Sequence, residues 1–168
     1  MKKLAVVLVL VLLASIVAVG QDKASVFAGY QYMSLGATAD GLGSARVSVP
    51  KGFDFDVAGN VAKNVAIVGD LGTGFKDGGK MITFAGGPRF LATSGKVTPF
   101  AETLLGVSHF SGGGDSSNNF TFLLGGGLDV SASKNVAIRL AKFDYEYVKG
   151  NGGHLNNLRY ATGIVFKF

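Results

Sequence analysis

The sequence has no cysteine and no tryptophan, and only three prolines in 168 residues. Without cysteine there is no disulfide framework and no thiolate metal site. Charge is sparse as well, at 16% of residues against an average near 25%. The basic residues are scattered, so the clustered positive patch of a nucleic-acid-binding surface is missing. Helical periodicity is also nearly absent: beyond residue 20, no sustained apolar i, i+3, i+4 pattern runs through the chain. What is abundant is glycine, 26 residues, together with 13 Phe and 5 Tyr. That is roughly twice the usual glycine share of ~7%, with no low-complexity tract.

The first twenty residues, MKKLAVVLVLVLLASIVAVG, stand apart. Two lysines precede an apolar run, which ends on small residues at Ala18 and Gly20. This is the layout of a secretory signal peptide, with a cleavage point after Gly20. The sequence therefore divides into a signal peptide over residues 1–20 and one domain over residues 21–168. Removing Lys2 and Lys3 leaves 14 basic residues of 16 against 11 acidic, so the net charge falls from +5 to about +3. Export without cysteine fits a bacterial envelope protein.

Alternation of period two runs through the domain. In FTFLLGGGLDVS, Phe120, Phe122, Leu124, Leu128 and Val130 share one face, and Thr121, Leu123, Asp129 and Ser131 share the other. The C-terminal LRYATGIVFKF and the central MITFAGGPRF alternate in the same way. Eight such segments are expected, over residues 25–35, 51–60, 65–75, 81–92, 97–109, 119–131, 136–148 and 156–168. Each is long for a soluble strand and suits a tilted strand crossing a bilayer in ~9–11 residues. The connectors fall into two kinds: 60–64, 93–96 and 132–135 are tight, whereas 36–49, 76–80, 110–119 and 149–155 read as longer Gly/Ser/Asn/Asp loops. Such an arrangement predicts an up-and-down meander with two unlike ends, closed into a barrel whose longer loops face outside.

The two faces differ in chemistry. Tyr30, Tyr32, Phe53, Phe55, Ile67, Leu71, Phe84, Leu105, Phe122, Leu124, Ile164 and Phe166 lie on one, and Gln31, Asp54, Asp56, Asp70, Arg89, Glu102, Asp129 and Arg159 on the other. A soluble barrel or sandwich needs the reverse orientation, with the polar face in water. One segment resists strict alternation. In VAIRLAKFDYEYV, outward Phe143, Tyr145 and Tyr147 imply an outward Arg139, while outward Ile138 and Leu140 imply an outward Asp144 and Glu146. A β-bulge near Ala141 and Lys142 reconciles the two halves.

The sequence ends in GIVFKF, with Gly163, Phe166 and Phe168 matching the C-terminal assembly signal of bacterial outer-membrane barrels; Ala161 departs from its polar position. Together with VFAGYQYM, GGPRF, VTPFAETLLGV and KNVAIRLAKFDYEY, this end makes residues 22–168 resemble the small eight-stranded outer-membrane β-barrels of the OmpA/OmpX/opacity-protein type. The resemblance implies residence in outer-membrane lipid, insertion by the barrel-assembly machinery through the last strand, a monomer, and surface ligands met through the outer loops. Larger members carry a peptidoglycan-binding domain, which is not expected here.

An eight-stranded barrel is only wide enough for its own side chains. Asp70, Arg89, Glu102, Asp129 and Arg159, with Arg139 and Asp144, are therefore expected to pair as a lumen charge network. A narrow ion path through those charges is the alternative reading. A second alternative is a lipid A deacylase using His109 and Ser111 of His-x-Ser, but alternation puts His109 on the lipid side and no acid is well placed. GFKDGGKM, residues 74–81, resembles a phosphate loop with Gly74, Gly79 and Lys80, but Met81 replaces the hydroxyl residue and a strand follows. His154 stands alone in a glycine-rich stretch. Asp54 and Asp56 share a face without the further oxygens that calcium requires. No cofactor, metal or catalysis is expected.

One pentapeptide occurs twice. KNVAI fills 63–67 and 134–138, and each copy begins in a tight connector and runs into the next segment. Lysine, a turn-forming asparagine and a β-branched residue opening a strand are what a short hairpin at one end of the barrel needs.

Overall fold

The computed structural model describes residues 24–38, 44–150 and 153–168; the expected signal peptide lies outside them. Nine strands follow in order: β1 (Ala24–Thr38), β2 (Ser44–Val49), β3 (Phe53–Ala62), β4 (Val65–Lys76), β5 (Gly79–Leu91), β6 (Val97–Gly112), β7 (Asp115–Ser131), β8 (Val136–Gly150) and β9 (Gly153–Lys167). All pairings are antiparallel, in the order β2-β1-β3-β4-β5-β6-β7-β8-β9, and β1 also pairs with β9. Both β2 and β3 pair with β1, the first along residues 33–38 and the second along residues 24–30. They are two parts of one barrel strand, so the barrel closes with eight strands, and among the described residues only the far side of β2 has no ladder partner.

The break in the second barrel strand falls at residues 50–52, where Pro50 has no N–H to give to the ladder. Its neighbours hold it in place. Gln31 N–H donates to the Gly52 carbonyl at 2.9 Å, Phe75 N–H donates to the Lys51 carbonyl at 2.7 Å, and the Tyr30 hydroxyl donates to the Pro50 carbonyl. Residues 44–49, expected as part of an outer loop, are thus strand, and residues 39–43 lie outside the described set.

The other three long connectors also differ from expectation. Asp77 and Gly78, with φ of 47° and 80°, form the whole turn between β4 and β5, and Gly113 and Gly114, with φ of 62° and 93°, that between β6 and β7. Two residues at positive φ suit the twist of a hairpin. Beyond these turns the chain stays paired, with Ser111 opposite Ser116 and Lys149 opposite His154. The Gly/Ser/Asn composition read as loop therefore belongs to strands of 15–17 residues at this end of β6 to β9.

At the tight-turn end the two KNVAI copies occupy equivalent places. The Asn64 carbonyl accepts from Leu91 N–H and the Asn135 carbonyl from Lys167 N–H, each at 2.8 Å. Ala66 and Ala137 point inward and are buried, while Ile67 and Ile138 point outward at 51% and 47% exposure.

The exterior is apolar. Phe53, Phe55, Phe84, Phe90, Leu105, Leu124, Phe143, Ile164 and Phe166 stand exposed, as lipid-facing side chains of a barrel do. In β8 the register shifts between Arg139 and Lys142, and facing it between Leu128 and Asp129. Across this bulge Ile138, Leu140, Phe143 and Tyr145 all face outward, and Arg139, Lys142, Asp144 and Glu146 are all buried.

The closing seam rests on a close backbone approach: Gly163 of β9 lies opposite Gly29 of β1. A Cβ on Gly163 would overlap the Ala28 carbonyl oxygen and the Gly29 Cα. Gly163→Val should accordingly cost about 1–3 kcal/mol. The measurement is the urea midpoint of the fast-migrating band in unboiled samples, which should fall relative to wild type.

Candidate functional site: the charged lumen

Asp70, Arg89, Glu102, Asp129 and Arg159 all project into the lumen and are buried there. Asp54, Asp56, Arg139, Lys142, Asp144 and Glu146 join them. Seven of the eight barrel strands supply these charges, all but β1, so most pairs join residues far apart in the chain.

At the tight-turn side, Arg139 Nε and Nη2 donate to the two oxygens of Asp129 at 2.7 and 3.0 Å. Its Nη1 reaches Asp56 Oδ2 at 2.6 Å. Arg89 shares that acid, donating from Nη2 to Asp56 Oδ2 at 2.7 Å and from Nε to Glu102 Oε2 at 2.6 Å. Forked guanidinium donors suit such two-acid bridging. The flat faces are covered too: Arg139 Cζ lies 4.4 Å from the Phe27 ring centroid and 4.5 Å from that of Phe100, and Arg89 Cζ also lies 4.5 Å from Phe100.

Lys142 occupies the centre. Its ammonium donates to Asp70 Oδ2 and lies 3.1 Å from Asp54, 3.4 Å from Glu102, 3.7 Å from Asp144 and 3.9 Å from Asp56. Arg159 then connects β9 to β1 and β4, donating from Nε to Gln31 Oε1 and from Nη2 to Asp70 Oδ1, each at 2.9 Å. Gly72 makes room for it, because a Cβ there would lie 2.7 Å from Arg159 Nη2.

Glu146 forms a separate polar cluster. Thr83 Oγ1 donates to its Oε1 at 2.7 Å, Ser108 Oγ at 3.2 Å, and Asn157 Nδ2 donates to Oε2 at 3.0 Å. Neutral donors, not a cation, satisfy this carboxylate. Beyond it toward the outer hairpins lies an apolar layer of Met33, Val49, Met81 and Val148.

Sequence parity brought the five expected charges to this lumen, and the structure joins Arg89 to Glu102 and Asp70 to Arg159 directly. Asp129 pairs with Arg139 instead of with either of the other expected cations. Lys142 was missed, although its spacing from Asp144 and Glu146 put it on their face. Phe27 and Phe100 were missed as well; each shares parity with a polar inward residue, Gln31 and Glu102. Asp54 and Asp56 meet cations of the protein, and among the described residues no group of three or more His, Cys, Asp or Glu is placed to hold a metal.

The His-x-Ser pair is not assembled as a catalytic unit. His109 Nδ1 lies 2.8 Å from Asn118 Oδ1 across the β6–β7 hairpin, in an exposed setting. His154 stacks on Tyr147 with centroids 5.4 Å apart. Gly79 and Lys80 open β5 directly after the two-residue turn, with Lys80 over the Phe75 ring, so no helix N-terminus forms there.

Several solved structures share this architecture. Neisserial surface protein A matches with a TM-score of 0.67 at 16% identity, over 86% of this chain and 97% of that one. Ail, the attachment invasion locus protein of Yersinia pestis, matches at 0.55 and 20% identity, over 88% of this chain and all 100% of the other. The N-terminal β-barrel domain of Pseudomonas aeruginosa OprF gives 0.51 at 13% identity, with 88% and 100% covered. No protein-family model matches the sequence, and no curated protein matches it by sequence. The shared fold and the apolar exterior are those of a small bacterial outer-membrane barrel.

Removing the central cation leaves several carboxylates facing one another. Lys142→Met should destabilise the barrel by about 3–5 kcal/mol, whereas Lys149→Met at the exposed end of β8 should change it by less than about 0.5 kcal/mol. Adding Asp70→Asn to Lys142→Met should recover part of the loss. Denaturant titration of the three variants checks the order.

Proposed function

We propose that the protein is a structural component of the outer membrane whose lumen is a plug, and that recognition of any surface ligand occurs at the outer hairpin ends. The observation that carries this reading is the layering of the lumen. The ion network is stacked beneath the fully apolar layer of Met33, Val49, Met81 and Val148, each at most 5% exposed. These four side chains offer an ion entering from outside no polar group, and an apolar constriction opposes its passage.

In this reading residues 1–20 direct export, and the domain over 21–168 inserts as a monomer through its last strand. Gly163, Phe166 and Phe168 serve as the assembly signal, offered to the edge of the insertion machinery by strand addition. Phe166 and Phe168 are both exposed on the outer surface, which suits them to recognition before lipid covers them. Asp70, Arg89, Glu102, Asp129 and Arg159 hold the strands at fixed register and act in no reaction.

Two experiments test the reading. In planar bilayers the purified barrel should give no stable unitary conductance. A resolved conductance that changes on Arg89→Ala or Glu102→Ala would establish the narrow pore instead. For the assembly signal, Phe168→Ser should sharply lower the amount of barrel inserted in cells, while the variant refolded in detergent keeps its stability to within about 0.5 kcal/mol. Equal insertion in cells would remove the role given to Phe168.

A further inference from the structure

Above the apolar layer the described residues leave the barrel unfilled. A cavity of about 530 Å³ opens there, with Met33, Val49 and Met81 at its floor and Leu35, Val47 and Phe110 around its wall. The polar residues lining it belong to the hairpin ends: Lys76 and Asp77 of the β4–β5 hairpin, and Ser111, Asp115 and Ser117 of the β6–β7 hairpin. Its volume lies within the range of small-molecule sites, roughly 300–1,000 Å³. An eight-stranded barrel mouth holds one small ligand at most, which excludes a peptide helix or a second copy of the chain.

The wall chemistry narrows the class further. The floor and walls are aliphatic, thioether and phenyl, so the buried part of an occupant is apolar. Methionine adapts its shape to what it packs against, and two methionines form the floor. The charges lining the cavity, Lys76 and Lys80 with Asp77 and Asp115, are of both signs, so a strongly anionic or cationic head gains nothing there. We propose that this cavity binds a single-chain amphiphile, its alkyl chain down against Met33 and Met81 and an uncharged or zwitterionic head among Ser111, Ser116 and Ser117. The site is separate from the ion network, so its occupancy is independent of whether the lumen conducts.

The chain contains three methionines, and two of them lie at the cavity floor. The full chain, labelled with ¹³C at the methionine methyl groups and reconstituted in phosphatidylcholine nanodiscs, is titrated with 1-decanol and, separately, with 1-butanol. Decanol should shift the Met33 and Met81 methyl resonances along one saturable curve, and butanol should not saturate. Val47→Trp, which fills the cavity from its wall, should weaken the decanol curve about tenfold, the loss expected when a few buried methylenes are displaced. If Val47→Trp does not give the fast-migrating band of a folded barrel, Val47→Asp is read in its place. Absent shifts, or shifts that rise without saturating and are equal in wild type and variant, would overturn the proposal.

Discussion

Charge enclosed in a barrel too narrow for bulk water must meet opposite charge or hydrogen-bonding groups on other strands, because an unpaired buried ion costs several kcal/mol. Four cations, Arg89, Arg139, Lys142 and Arg159, answer that requirement here, and two of them come from a single strand, β8. Strict alternation cannot place both inward, since Arg139 and Lys142 are an odd number of residues apart. The bulge between them resolves the conflict. Without it, either Arg139 would face lipid or Lys142, Asp144 and Glu146 would, and the hydrocarbon penalty for a charged side chain would fall on the outer surface. The irregularity in β8 is thus a consequence of electrostatics.

The same constraint governs the packing around the charges. Arg139 lies between the Phe27 and Phe100 rings, so the planar faces, which form no hydrogen bonds, are covered by apolar surface while the edge donors meet carboxylates. Gly72 leaves the space that Arg159 occupies. Glycine in these strands is therefore partly a measure of how bulky the inward cations are. Glycine also permits the backbone contact of Gly29 and Gly163 at the seam, so one residue type serves both the filling of the lumen and the closure of the sheet.

Much of this was legible in the sequence because period two assigns a face with a single parity choice per strand. Asp70, Arg89, Glu102, Asp129 and Arg159 follow from it without knowledge of the pairing. Lys142 was not, because a bulge shifts parity at one point, and sequence places that point only to within a residue or so. The outer connectors failed for a different reason. Asp77-Gly78 and Gly113-Gly114 are hairpin turns two residues long, yet the Ser and Asn residues around the second have the composition of a loop. Composition reports solvent exposure, and a hairpin that rises clear of the membrane is as exposed as a loop. Strand β2 was hidden likewise, behind the interruption at Pro50.

The repeated KNVAI and the outer hairpins mark ends with different demands. At the tight-turn end the sheet turns over quickly, small inward residues such as Ala66 and Ala137 taper the lumen, and Arg139 with Asp129 closes in the network just above. At the other end the strands run on past the charges into an apolar layer. A network of buried ions is held more strongly when water is kept from it, since lower polarity strengthens each pair. The Met33, Val49, Met81 and Val148 layer supplies that exclusion from the outer side. An apolar layer facing an open mouth is itself poorly solvated, however, and the wall residues above it continue the apolar surface instead of ending it. The arrangement that shields the ions thereby creates a part of the described interior with unfilled apolar surface toward the outside.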